Sequence, residues 1–250
     1  MRNIFVLFIY LILLQNLNAS DHMESSTFNE IIKEVVKDDK YIFDDNIKIK
    51  VPDFADNSMQ VPIFIDGKNI QDAKRIVLYA DYNPIQKIID MQLENLFAVL
   101  SLNIKVAQET PLRVFILDDK NIWHISSKNI KSNGGGCDVS SQSLNNYEYE
   151  KFLGQIKGEI FVKEEGSRIK ASIFHPMETG LVFGTTEFYI NEISIKNNDT
   201  VLGNIQSSSV ISENPRFIFE TKEKVDNINI EFTDSDGNKY KAQIKWNILF

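Results

Sequence analysis

The sequence of 250 residues contains a single cysteine, Cys137, so no disulfide can form within the chain. The three histidines are also scattered, at His22, His124 and His175, and no Cys-x-x-Cys, His-x-x-x-His or acidic-histidine cluster occurs. We therefore expect no structural metal. No nucleophile-elbow, phosphate-loop or dinucleotide-binding motif is present either. These absences predict a protein without cofactor or metal that is not an enzyme.

Basic residues are in the minority, with 27 Lys and Arg against 35 Asp and Glu and a formal net charge of -8. This balance argues against binding to nucleic acid or to an anionic membrane surface, because both select basic faces. The hydrophobic content of 43% and the 17 Phe residues are sufficient for real cores. The length predicts one or two ordinary globular domains.

Long apolar runs are also missing, except for residues 4–14, which follow Met1, Arg2 and Asn3. That run is shorter than the ~20 residues that span a bilayer. The small residue Ala19 follows this run as a possible cleavage site, so residues 1–19 are typical of a secretory signal peptide. An uncleaved anchor is the alternative. We expect export to the periplasm and no membrane span after cleavage. An odd cysteine in an exported protein indicates either a Cys137-linked homodimer or a free reactive thiol.

The apolar pattern predicts an all-β protein. A stripe at Phe28, Ile31 and Val35 indicates a short N-terminal helix over 27–37. From there the pattern has a period of two, with a weak helical signal over 85–93, and predicts a first immunoglobulin-like β-sandwich at 25–127. A second sandwich is predicted at 156–250, and the segment between them, 128–155, reads as a Gly- and Ser-rich linker.

Two Asp-Gly pairs predict tight turns between strands, at Asp66-Gly67 and at Asp236-Gly237. The second pair belongs to Asp234-Ser235-Asp236-Gly237, which is similar to the start of a calcium loop. The glutamate that would close such a loop is missing, so we favour a turn.

Within the linker, Gly134, Gly135 and Gly136 stand directly before Cys137. Glycine gives a loop conformational freedom, so this segment is interpreted as a flexible arm that holds a solvent-exposed thiol, with the glycines as its hinge. A plain linker with an incidental cysteine is the alternative. His124 could also lie near the thiol and act as a base, or simply be a strand histidine bonded to the backbone.

The hexapeptide of His175, Pro176, Met177, Glu178, Thr179 and Gly180 is not explained by strand or turn propensity. It resembles the signature of SoxZ, a subunit of the SoxYZ sulfur-oxidation carrier. Further similarities to SoxZ are Arg168-Ile169-Lys170-Ala171 before the motif, Ser212-Glu213-Asn214-Pro215 before Phe217 and Phe219, and the turn at Asp234-Ser235-Asp236-Gly237. The resemblance implies that residues 175–180 shape the second domain, or its contact with the first, rather than perform chemistry.

The first half resembles SoxY, through Val61-Pro62-Ile63, Asn83-Pro84 and Gly135-Gly136-Cys137. The resemblance implies that Cys137 carries sulfur intermediates covalently and offers them to periplasmic sulfur-oxidation enzymes or c-type cytochromes. The fusion of both halves resembles SoxYZ-like carriers associated with a quinoprotein dehydrogenase. In an alternative interpretation the chain is a non-covalent docking module for such a dehydrogenase or a cytochrome, and Cys137 is incidental.

One departure concerns the arm itself. The family's arm is a chain terminus that ends in Gly-Gly-Cys-Gly-Gly, whereas here Asp138 and Val139 follow Cys137 and the arm is internal. A loop tethered at both ends has a shorter reach than a free tail, so its entry into a narrow enzyme channel is in question.

Overall fold

The structure is a computed structural model that describes residues 23–140 and 149–246. The predicted signal peptide, His22, residues 141–148 of the predicted linker and residues 247–250 lie outside the described residues. The helices are α1 (Phe28–Val35) and α2 (Tyr149–Phe152). Neither helix of the described part has the length and apolar content needed to cross a membrane.

Fifteen strands are described, and all but two of them have at least six residues. They are β1 (Lys40–Phe43), β2 (Lys48–Lys50), β3 (Val61–Asp66), β4 (Arg75–Ala80), β5 (Lys87–Leu93), β6 (Leu96–Ile104), β7 (Thr110–Leu117), β8 (Ile122–Ile130), β9 (Ile156–Val162), β10 (Ser167–Ile173), β11 (Ile190–Asn197), β12 (Thr200–Ser207), β13 (Arg216–Thr221), β14 (Asn227–Asp234) and β15 (Lys239–Lys245). The predicted all-β class is confirmed. The weak helical signal over 85–93 was wrong, because β5 occupies it and buries Ile88, Ile89 and Met91 between neighbouring strands.

The strands form two sheets. The larger has the order β1-β8-β7-β4-β5-β12-β11-β14-β15, and the smaller has the order β2-β3-β6-β13-β10-β9. Strands of the first half pair with strands of the second in both sheets, through β5 with β12 and β6 with β13. The two halves therefore share their sheets and one continuous core, instead of forming two bodies that meet only through a linker.

The helix predicted over 27–37 is confirmed as α1. Its buried residues Ile31 and Val35 pack on the outer face of the larger sheet, against a cluster that includes Tyr79, Phe115 and Trp123. This second apolar cluster explains why β4 and β7 are buried along almost their whole length. Amphipathic helices of this kind gain most of their stability from such packing.

The two Asp-Gly pairs have different outcomes. Asp236-Gly237 joins β14 to β15 as a hairpin, with Gly237 at a φ of 84°, as predicted. After Asp66-Gly67 the chain crosses from β3 in the smaller sheet to β4 in the larger sheet, so no hairpin forms there. Gly67 is required by close packing, since a Cβ would lie 2.3 Å from Cδ1 of Ile116.

Candidate functional site

The Cys137 loop, which we define as residues 131–140, follows β8 and lies against the first half. Its start is fixed by a bond from the Ala55 N–H to the carbonyl oxygen of Lys131, at 2.8 Å. Further along, the Gly135 N–H donates to the Ala107 carbonyl at 2.9 Å, and the Gly136 N–H donates to the Val106 carbonyl at 3.0 Å. The loop is therefore docked along the chain that leaves β6.

The glycines of this loop are needed for the docked conformation itself. Gly134 and Gly135 both have a φ of +82°, which side chains other than glycine rarely adopt. A Cβ on Gly136 would lie only 2.0 Å from the carbonyl oxygen of Ser58. Three consecutive glycines therefore allow a close approach of two backbones, in addition to any role as a hinge.

The thiol of Cys137 does not project into solvent, which corrects the expectation of an exposed arm. Cys137 is 0% exposed and belongs to the shared core of the two halves. Burial raises the pKa of the thiol to about 11, while the positive charge of Lys105 lowers this pKa and the negative charge of Asp138 raises it. The docked cysteine is consequently protonated and unreactive at neutral pH.

Lys105 is a buried lysine at the junction of the two halves, one residue after β6. Its ammonium group donates to the carbonyl oxygens of Met177 and, at 3.2 Å, of Ser209. Burial lowers the pKa of Lys105, and the nearby Glu178, Cys137 and Glu213 oppose that shift. Sequence reasoning missed this residue, because a single lysine after an apolar strand looks like an ordinary surface residue.

The motif 175–180 lies directly against the Cys137 loop. The Thr179 hydroxyl donates to the carbonyl oxygen of Cys137 at 3.1 Å and accepts from the Leu181 N–H at 3.2 Å. Met177 has a φ of 54° and its N–H donates to Nδ1 of His175 at 3.2 Å. The SoxZ-like signature thus forms one wall around the SoxY-like cysteine, and each residue from His175 to Thr179 is buried.

His175 is fully buried, and its backbone is tied to Asn214 by two hydrogen bonds. Its Nε2 lies 3.9 Å from Oδ2 of Asp234. Burial lowers the pKa of His175 to about 4, although Asp234 raises it. The Asp234 carboxylate also accepts bonds from the Asp236 N–H, the Asn238 N–H and side-chain amide, and the Tyr240 hydroxyl, which is the geometry of a turn.

Two other residues in the family-like motifs bond the segments against which the Cys137 loop lies. The Asn83 side chain donates to the Lys105 carbonyl and accepts from the Ala107 N–H, both at 2.9 Å. The Ser212 hydroxyl donates to the Met59 carbonyl at 2.7 Å. Asn83 and Ser212, which are far apart in sequence, therefore each bond a segment against which the Cys137 loop is packed.

His124 does not serve as a base for the thiol. Its Nδ1 lies 2.7 Å from Oδ2 of Asp44, and its Nε2 lies 3.4 Å from Oδ2 of Asp118. The electrostatic partners of the Cys137 thiol are Lys105 and Asp138. No group of His, Cys, Asp and Glu within the described ranges is arranged to hold a metal ion.

Comparison with known proteins identifies the families that the two halves match. The family model of the sulfur oxidation protein SoxY matches residues 32–137, and that of the sulphur oxidation protein SoxZ matches residues 160–245. The SoxY match ends at Cys137. A search of curated proteins finds no match.

Among solved structures, the sulfur carrier protein SoxY from Chlorobium limicola f thiosulfatophilum is 19% identical, with a TM-score of 0.40. The alignment covers 44% of this chain and 99% of that one. A second similar structure is the SGBP-B protein of the mixed-linkage glucan utilization locus of Bacteroides ovatus, at 10% identity and a TM-score of 0.19. It covers 79% of this chain and 47% of that one.

The two shared β-sheets and the two family matches define a carrier or adaptor protein rather than an enzyme. Within that class, the chain is a fused SoxYZ-like protein, with a SoxY domain followed by a SoxZ domain. The family supports a sulfur-oxidation carrier that interacts with sulfur-oxidation proteins.

Proposed function

We propose that this protein is a periplasmic carrier that holds a sulfur-containing group covalently on the Cys137 sulfur and presents it to partner enzymes. The observation that carries the proposal is the position of Cys137. It is the sole cysteine of the chain, it ends the SoxY match, and it lies in a glycine loop at the contact between the SoxY and SoxZ domains. The predicted signal peptide supports the compartment.

The buried thiol implies two states of the carrier. In the docked state the pKa of about 11 keeps the sulfur protonated and shielded. Loading requires that the loop leaves the contacts with Val106, Ala107 and Thr179. These contacts are few hydrogen bonds of the kind that each contribute about 1 kcal/mol, so a partner's binding energy is sufficient to replace them.

The loading step has a defined electron balance. Joining the Cys137 sulfur to a reduced sulfur compound forms one S–S bond and releases one proton from the thiol and two electrons. The loading partner must therefore accept two electrons, which two c-type haems can take one each, or one quinone cofactor of a quinoprotein dehydrogenase can take together. A later partner would hydrolyse the bond between the Cys137 sulfur and the carried group, with water giving its hydroxyl to the departing group and its proton to the cysteine.

A second candidate function follows from the burial of Cys137. A cysteine with 0% exposure is also what a docking module with a purely structural cysteine would contain. In that function the shared sheets bind a periplasmic dehydrogenase or cytochrome without any covalent step.

The substitution Cys137→Ser separates the two functions in the native host. Protein isolated from cells supplied with thiosulfate should carry extra mass on the Cys137 peptide, and the C137S strain should lose sulfur oxidation while its protein remains folded. If Cys137 is unmodified and C137S cells oxidise sulfur normally, the docking module is correct and the covalent carrier is excluded.

A further inference from the structure

Large apolar side chains are exposed in the Cys137 loop and in two of the segments that are hydrogen-bonded to it. Phe54 precedes Ala55, which is bonded to the start of the loop, and Val139 belongs to the loop itself. On the SoxZ side, Leu181 is bonded to Thr179 and is exposed, as is Phe183. Several exposed apolar residues beside one loop indicate an interaction surface, whereas single exposed apolar residues need no explanation.

Phe183 is the most exposed of these side chains, at 103%. It occupies the second position of a turn over 182–185, in which both the N–H and the hydroxyl of Thr185 donate to the carbonyl of Val182, at 3.0 and 2.8 Å. Gly184 follows with a φ of +82°, the pattern of a type II turn. The turn therefore fixes the backbone from which this ring projects into water.

Exposed acidic side chains lie close in sequence to each of these apolar residues. Asp53 and Asp56 are exposed on either side of Phe54 and Ala55, Asp138 is exposed beside Cys137, and Glu187 is exposed in the segment that follows Phe183. Among the described residues of 53–59, 131–140 and 179–188, the one lysine or arginine is Lys131. This charge disfavours an anionic lipid surface and favours a protein with basic groups around its contact.

We propose that the surface of Phe54, Val139, Leu181 and Phe183 is the docking surface for the protein that loads or unloads Cys137. This partner would present an apolar pocket for the Phe183 ring inside a rim of Lys and Arg. The proposal rests on the carrier function above, because a partner that receives the released loop must contact the segments beside it. An exposed aromatic ring on a hydrogen-bonded turn is a typical interface anchor, since the backbone that carries the ring loses little conformational freedom on binding.

The test uses full-length protein in its native host. A photo-crosslinking phenylalanine, p-benzoylphenylalanine, replaces Phe183 in one strain and Phe161 in a control strain. Phe161 is also exposed, but it lies on the edge strand β9. The second measurement follows the Cys137 adduct by peptide mass after thiosulfate addition, in wild type, Phe183→Ser and Phe161→Ser. A Glu187→Lys variant tests the predicted basic rim.

We expect crosslinks from position 183, and not from 161, to a protein whose crosslinked peptide lies among Lys and Arg. Loss of the anchor should slow formation or removal of the Cys137 adduct at least ~10-fold in F183S, with an unchanged melting temperature. E187K should lower the crosslink yield, and F161S should behave as wild type.

The two possible failures can be told apart. If wild-type Cys137 carries no adduct, the carrier function itself is excluded, and this proposal with it. If the adduct forms and turns over in F183S at the wild-type rate, or if both crosslinker positions give the same products, the carrier function stands and the docking surface is wrong.

Discussion

Replacement of Gly136 by alanine should release the Cys137 loop from its docked position. The added Cβ would lie 2.0 Å from the Ser58 carbonyl oxygen and 2.9 Å from the Val106 carbonyl oxygen. Both obstacles are backbone atoms, which cannot rotate away as a flexible side chain would. The loop in Gly136→Ala must therefore move, and Cys137 moves with it.

The expected size of the effect follows from the thiol pKa. Burial raises this pKa from an ordinary 9.0 to about 11 in the docked loop. Release should return it by two units, so the thiolate fraction at pH 7.5 rises ~100-fold. Loss of steric shielding adds to this factor. Because the loop lies outside both sheets and contributes one side chain, Cys137, to the shared core, we expect the free energy of unfolding to fall by about 1–3 kcal/mol.

The assay is the rate of Cys137 alkylation by iodoacetamide, followed by intact mass from pH 7 to 11. In wild type the rate should climb about tenfold per pH unit until about pH 11, whereas in G136A it should level off near pH 9. Gly237→Ala is the control, since no atom lies within 4 Å of its Cβ position, although its φ of +84° means that alanine adds some backbone strain there. Equal rates in G136A and wild type would refute the docked loop as described.

Three further predictions follow from buried ionisable side chains. Lys105→Met removes the cation that lowers the pKa of the Cys137 thiol, so alkylation at pH 9 should slow, and Lys105→Arg should partly restore the rate. Burial lowers the pKa of His175 from 6.5 to about 4 in the folded protein. As pH falls below 6.5, the unfolded chain binds a proton at His175 that the folded protein does not bind, so stability decreases. Wild type should lose about 3 kcal/mol of stability between pH 6.5 and 4 in urea titrations, and His175→Gln should lack that component. Asp81→Asn removes the carboxylate whose oxygen lies 2.9 Å from the guanidinium of the fully buried Arg113. Urea unfolding should show a loss of about 3–5 kcal/mol, and alkylation of Cys137 below the unfolding transition should not change.

The family-like motifs illustrate how much of the candidate site is present in the sequence. Residues 175–180, Asn83 and Ser212 could be recognised as unusual from the sequence, and each lies near the backbone that holds Cys137. Lys105 could not be recognised, because its burial depends on the SoxZ domain covering the end of β6.

The two Asp-Gly pairs likewise show which part of the fold follows from the local sequence and which part depends on long-range strand pairing. At Asp236-Gly237 the neighbouring strands pair with each other, so the local turn preference decides the structure. At Asp66-Gly67 the next strand, β4, pairs with β5 and β7 in the other sheet, and long-range pairing overrides the same preference.

The sequence alone determined the β class, the N-terminal helix and the presence of one cysteine after three glycines, because periodicity and glycine content act on the local backbone. Only the tertiary structure decided that the two halves share their sheets and that the Cys137 loop is docked between them. Whether a side chain is buried depends on which distant segments pack over it. Composition around Cys137 therefore indicated a flexible loop, and the surrounding SoxY and SoxZ segments decided that its thiol is shielded.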